Sequence, residues 1–149
     1  MSEPVRIELR GRAVPGQRAQ SKFRWLPKRQ KDALAALKYA ATEAMGDRPM
    51  FTGAVALSLH EDRPIPKTWS KKKHGAALTA ELLPITKPDL KNILWLAEDA
   101  LTGVVYADDA QVCRHYTSKY YGDQPRLLIV VAEITGPARS GSAHNRRSA

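Results

Sequence analysis

The sequence predicts one domain that mixes strands with helices. Three observations carry this. Val5, Ile7 and Leu9 alternate with Arg6, Glu8 and Arg10, as in a strand with one buried face. Leu90, Ile93, Leu94, Ala97 and Leu101 recur at helical spacing, so that one stripe of a helix is apolar. Residues 126–134, RLLIVVAEI, form an apolar, β-rich run suited to a buried strand. The chain has 149 residues and is 43% hydrophobic, enough for a single core.

Taken in order, a strand is expected at about residues 4–13, followed by a loop whose Pro15-Gly16 and polar content break any regular period. A helix is expected from Pro27 to about Met45, with Leu34, Leu37, Ala41 and Ala44 or Met45 on its inner face. Gly46, Asp47 and Pro49 stop it. Val55, Leu57 and Leu59 mark a second strand over residues 54–60, and residues 61–66 read as a loop. Ser70 caps a short helix that begins with Lys71, Lys72 and Lys73. The central helix opens near Pro88, which suits a first turn, and stops at Gly103. Residues 104–106 read as strand, Asp108 and Asp109 as a turn, and residues 112–121 as strand. Residues 1–135 are expected to form the domain, and residues 136–149, polar and basic, a disordered tail.

Charge narrows the function. The chain carries 24 Lys and Arg against 15 Asp and Glu, a net +9, which favours a polyanionic partner and nucleic acid first. No apolar run approaches the ~20 residues of a spanning helix, and the first residues lack a signal-peptide core, so a cytoplasmic protein with no membrane role is expected. Cys113 is the single cysteine, which excludes an internal disulfide and a Cys-rich zinc module. It reads as a small, half-buried strand residue. His60, His74 and His115 show no ligand spacing.

Candidates for phosphate contact are Arg18, Lys22 and Arg24 in the first loop, and Lys71, Lys72 and Lys73. The three lysines stand in a helical first turn, where positive charge opposes the helix dipole, so phosphates rather than the helix explain them best. Phe23 and Trp25 either stack on exposed bases or pack on the core, and core packing is favoured. Against this basic background residues 92–111 hold Glu98, Asp99, Asp108 and Asp109 with no Lys or Arg. The central helix is expected to return the chain so that Asp89 meets Asp108 and Asp109. Together they would form a hard-oxygen site for Mg²⁺ or Mn²⁺.

These residues resemble a known family. Lys87-Pro88-Asp89, then Asn92, a helix ending Asp99-Ala100-Leu101-Thr102-Gly103, and Tyr106-Ala107-Asp108-Asp109-Ala110-Gln111-Val112 are similar to the RusA-type Holliday-junction resolvases, largely phage and prophage endonucleases. Pro66-Lys67-Thr68-Trp69-Ser70 with the three lysines, and Lys119-Tyr120-Tyr121-Gly122, extend the likeness. The resemblance implies a small α+β fold, a mixed sheet of about four strands flanked by helices, in a symmetric homodimer. It implies Mg²⁺-dependent paired nicking of four-way DNA junctions. It assigns Asp89 and Asp109 as metal-binding catalytic acids, Asp108 as the adjacent acid and Asp99 as a further helix acid, and places Lys87 among the DNA-binding residues. Two positions depart from the family pattern. Lys91 stands where the family has a second acid, and Trp95 where it has a lysine important for cleavage.

Three readings follow. One is an active junction endonuclease. Another is a catalytically weak or inactive relative that binds branched DNA without efficient cleavage. The third is a general basic nucleic-acid module with a structural acidic patch.

Overall fold

The computed structural model describes residues 2–16 and 27–136. The first-loop candidates Arg18, Lys22 and Arg24, the aromatics Phe23 and Trp25, and the tail 137–149 lie outside the described residues.

The elements run β1 (Val5–Arg10), α1 (Lys28–Met45), β2 (Val55–Pro64), α2 (Lys71–Leu78), α3 (Leu90–Leu101), β3 (Val112–Gly122) and β4 (Arg126–Glu133). The four strands form one sheet in the order β1-β4-β2-β3. β4 pairs antiparallel with both β1 and β2, whereas β2 and β3 are parallel. A parallel pair needs a crossover, and α2 and α3 supply it. The fold is thus the expected α+β arrangement with a mixed sheet.

One face of the sheet makes the core. Val5, Ile7, Val55, Leu57, Leu59, Leu127, Ile129 and Val131 point to it and are buried. Leu37, Ala41 and Met45 of α1 and Ile93, Leu96, Ala97, Ala100 and Leu101 of α3 close over them. Ala41, Ala97 and Ala100 are fully buried, and such small side chains let helices approach closely where α1 packs on α3.

The structure differs from expectation in three places. β2 continues through residues 61–64, expected as loop, because Glu61 and Arg63 keep the inward alternation and neutralise each other. Residues 104–106 are a turn, not a strand. The amides of Val104 and Val105 bond back to Leu101 O, and Gly103 adopts φ +86°. Their apolar character reflects burial, since Val105 and Tyr106 are wholly enclosed. Cys113 is exposed rather than half-buried, because β3 is the edge strand and Cys113 falls at a register shift against β2, between Val112 opposite Val55 and Arg114 opposite Ala56.

Leu57→Ala should cost about 2–5 kcal/mol in urea denaturation, the range for truncating a buried leucine. Ile85, 92% exposed, should tolerate Ala within about 0.5 kcal/mol. Equal losses at the two positions would contradict the assigned core.

Candidate functional site

The site begins with two residues that a strand would ordinarily exclude from its inner face. Glu61 and Arg63 alternate inward on β2, with side chains only 3% and 11% exposed. Arg63 Nε and one terminal nitrogen donate to the two Glu61 carboxylate oxygens at 3.2 and 2.8 Å. The remaining N–H groups reach the loop before α3. Thr86 O accepts at 2.6 Å, Lys87 O at 3.3 Å and Pro88 O at 3.0 Å. The planar guanidinium fork suits this, because its donors are held in fixed directions. Lys119 Nζ, from β3, also donates to Thr86 O, at 3.2 Å.

This clamp delivers Asp89 to the N-cap of α3. An N-cap aspartate usually accepts from the first-turn amides, yet the Asp89 side chain makes no capping hydrogen bond. Its carboxylate is 38% exposed and lies 3.7 Å from Lys87 Nζ. It is therefore available to a cation. A pocket opens beside it, bordered by Arg12, Arg29, Lys87 and Asn92 above the Glu61–Arg63 floor.

At the other end of α3 the second set of acids is held differently. Asp108 caps a short 3₁₀ helix, Asp109–Gln111, accepting from the Ala110 amide at 2.9 Å. Gln111 Oε1 accepts from the amides of Ala107 and Asp108, at 2.9 and 3.0 Å. Its Nε2 donates to Phe51 O and Gly53 O, at 2.8 and 3.0 Å. One amide thus ties the acidic turn to the segment leading into β2. The acids act on one another. Asp109 holds its proton above the usual carboxylate range, first through a hydrogen bond with Asp108 and then through burial and the Asp108 and Asp99 charges. Glu98 is raised by burial and then by Asp109, with His115 opposing. Beneath them the Tyr106 hydroxyl is buried without a hydrogen bond of ordinary geometry, and burial followed by the Glu98 and Asp109 charges pushes its pKa up.

The expected meeting of Asp89 with Asp108 and Asp109 does not occur within the chain. α3 has 12 residues, which at ~1.5 Å each span ~18 Å, and Asp89 precedes the first of them. Asp109 acts on Glu98 and feels Asp99, in the last turns of that helix. Among the described residues no three His, Cys, Asp or Glu side chains group so as to hold a metal ion. The same length separates Lys91, in the first turn, from Asp109. Trp95 sits half-buried midway along the helix. Lys71, Lys72 and Lys73 are exposed in the first turn of α2, where Ser70 Oγ accepts from the Lys73 amide. Lys73 Nζ lies 4.0 Å from the Trp69 ring centre, and Trp69 meets Tyr121 edge-on.

Sequence reasoning missed Glu61, Arg63 and Gln111 as organisers. The signal for Gln111 was present as Asp108-x-x-Gln111, the spacing of a capping box. That for Glu61 and Arg63 was the two-residue alternation continuing from Val55, Leu57 and Leu59.

Arg63→Met strands a buried carboxylate and should cost about 3–5 kcal/mol in chemical denaturation. Gln111→Ala gives up several hydrogen bonds at a more open site and should cost about 1–3 kcal/mol. A pH series tests the acidic end. Glu98 and Asp109 bind protons more tightly folded than unfolded, so their contribution to stability is lost as pH rises through the raised folded pKa. Asp109→Asn should therefore melt higher than the parent at neutral pH, and the gain should vanish below about pH 4, the ordinary carboxylate range. A variant melting lower than the parent at neutral pH would contradict this sign.

Comparison with known proteins gives a relative and a family. The chain is 37% identical over 102 residues to the uncharacterized protein YqaN of Bacillus subtilis (strain 168), covering 66% of this chain and 72% of that protein. The family model described as endodeoxyribonuclease RusA matches residues 7–132, from β1 through β4 and across both ends of α3. The chain belongs to the RusA endodeoxyribonuclease family.

Proposed function

We propose that this protein cuts four-way DNA junctions by metal-dependent paired phosphodiester hydrolysis. It acts as a homodimer in the cytoplasm of a bacterial or phage-infected cell. The observation that carries this reading is Asp89. It directly follows the three carbonyls held by Arg63, and its carboxylate is not spent on capping α3 and stands beside a cationic pocket. The net charge of +9 supplies the field that gathers a polyanion.

The donor chemistry fits Mg²⁺ or Mn²⁺, since Asp89, Asp108 and Asp109 all offer hard oxygens. Such an ion, when bound, activates water and neutralises charge developing on phosphorus. One chain presents these oxygens in two places, separated by the length of α3. In the dimer we propose, the two α3 helices lie antiparallel about the two-fold axis, so that each Asp89 meets the acidic turn of the other chain and the donor set is completed between them. The same symmetry matches a four-way junction and provides two opposed nicks. Lys71, Lys72, Lys73 and Lys87 hold flanking phosphates.

Lys91 favours a second reading, a relative that binds junctions and cuts them weakly. It is exposed in the first turn of α3, two residues from Asp89, and forms no ion pair among the described residues. An ammonium there replaces a donor oxygen and repels a cation.

Junction cleavage with Mg²⁺ or Mn²⁺, run beside gel shifts in EDTA, separates these readings. Paired nicks support the enzyme. Junction-selective binding without nicks supports the weak relative, and equal affinity for linear duplex sinks both. In an active parent, Asp89→Asn should lower nicking by roughly 100-fold, about 2.7 kcal/mol of barrier, with binding in EDTA retained. Lys91→Asp combined with Trp95→Lys should cut faster than the parent and saturate at lower Mg²⁺. A parent that already cuts efficiently, and gains nothing from Lys91→Asp, would refute the role given to Lys91.

A further inference from the structure

The pocket beside Asp89 has a volume of about 370 Å³. Among the described residues, six charged side chains border it. Arg12, Arg29, Arg63 and Lys87 are positive and Glu61 and Asp89 negative, which leaves a net +2. Arg63 and Glu61 satisfy each other and the loop carbonyls in the floor, so they set the pocket's shape and leave its surplus charge to the rim. Lys87 already leans on Asp89. Arg12 and Arg29 are exposed and make no ion pair among the described residues.

The chain fixes where both arginines stand. Gly11, at φ +113°, turns the chain out of β1, and its amide bonds to Pro125 O at 2.9 Å. Five residues later the Gly16 amide bonds to Asn92 O at 2.8 Å, in close approach to Leu96 of α3. Arg12 is thus strung between two anchors across the start of α3. Arg29 stands in the first turn of α1, which has no acidic residue and no side-chain cap. Positive charge at that end opposes the helix dipole, at ~0.3–1 kcal/mol per charge. A bound anion reverses the sign of that cost.

We propose that this pocket receives a backbone phosphate of the DNA strand being cut, next to the scissile one, with Arg12 and Arg29 as its ligands. The inference rests on the reading of the chain as a junction-binding nuclease. The pocket accepts a phosphate's size and charge, and guanidinium groups match phosphate oxygens in paired hydrogen bonds. Held there, the strand runs past Asp89, which places the adjacent phosphodiester at that carboxylate.

The test needs no cleavage. Anisotropy titrations of a labelled four-way junction in EDTA, across a salt series, compare the parent with Arg12→Ala, Arg29→Ala, the double change, Arg12→Lys and Lys38→Ala. Lys38 lies nine residues beyond Arg29 and so on the opposite side of α1. The double change should flatten the log–log salt slope by about 0.9, the share of one phosphate, and each single change by part of that. Arg12→Lys should keep the slope, and Lys38→Ala should leave it unchanged. Single methylphosphonate substitutions, scanned along the junction strand, should identify one phosphate whose neutralisation weakens the parent several-fold and leaves the double variant unaffected. An unchanged slope in the double variant, an equal loss in Lys38→Ala, or a scan in which no position distinguishes parent from variant overturns the pocket while the nuclease reading stands. A parent that binds no junction at any salt overturns both.

Discussion

The arrangement of this protein depends on one buried ion pair. Taking two charges out of water costs several kcal/mol for each, and their attraction offsets that only when geometry is good and every remaining donor is satisfied. Glu61 and Arg63 meet both conditions. The carboxylate takes two N–H groups, and the others go to the carbonyls of Thr86, Lys87 and Pro88. A sheet strand is thereby joined to the loop that starts α3. The backbone that leads into Asp89 and the first turn of α3 is held by it.

α3 then acts as a strut. Its inner stripe of Ile93, Leu96, Ala97, Ala100 and Leu101 seats it on the sheet and α1. Its two ends differ in charge. The first is ringed by arginine and lysine around one carboxylate. The second gathers Glu98, Asp99, Asp108 and Asp109, where burial raises the Glu98 pKa and a hydrogen bond with Asp108 raises that of Asp109, the neighbouring charges adding to both. Each end is organised by one multivalent polar side chain, Arg63 at the first and Gln111 at the second. Neither organiser carries the chemistry itself.

Periodicity made most of the fold legible. β1, β4, α1 and α3 follow from spacing of apolar residues, and the Ser70 cap from its residue type. The second half of β2 was hidden because Glu61-Asp62-Arg63-Pro64 has the composition of a loop, and only pairing in the folded state makes its charges compatible with burial. Residues 104–106 misled for the opposite reason. Val104, Val105 and Tyr106 have strand-like side chains, but Gly103 sets the backbone and burial accounts for the composition. At the site, the motif residues were legible one by one, while their separation was not. Asp89 and Asp109 lie 20 positions apart, and sequence alone leaves open whether the intervening helix folds back or extends. Twelve helical residues settle that by length.

The ion pair also shapes how this protein can evolve. Because Glu61 and Arg63 each make the other tolerable in the interior, neither position drifts freely. A lineage that changes one first crosses a trough of about 3–5 kcal/mol, a large part of the 5–15 kcal/mol by which domains are usually stable. The pair is therefore inherited as a unit. Its replacement by two apolar residues, though compatible with the core, would release the loop carbonyls that orient Asp89, so the fold could survive such a path while the site lost its alignment.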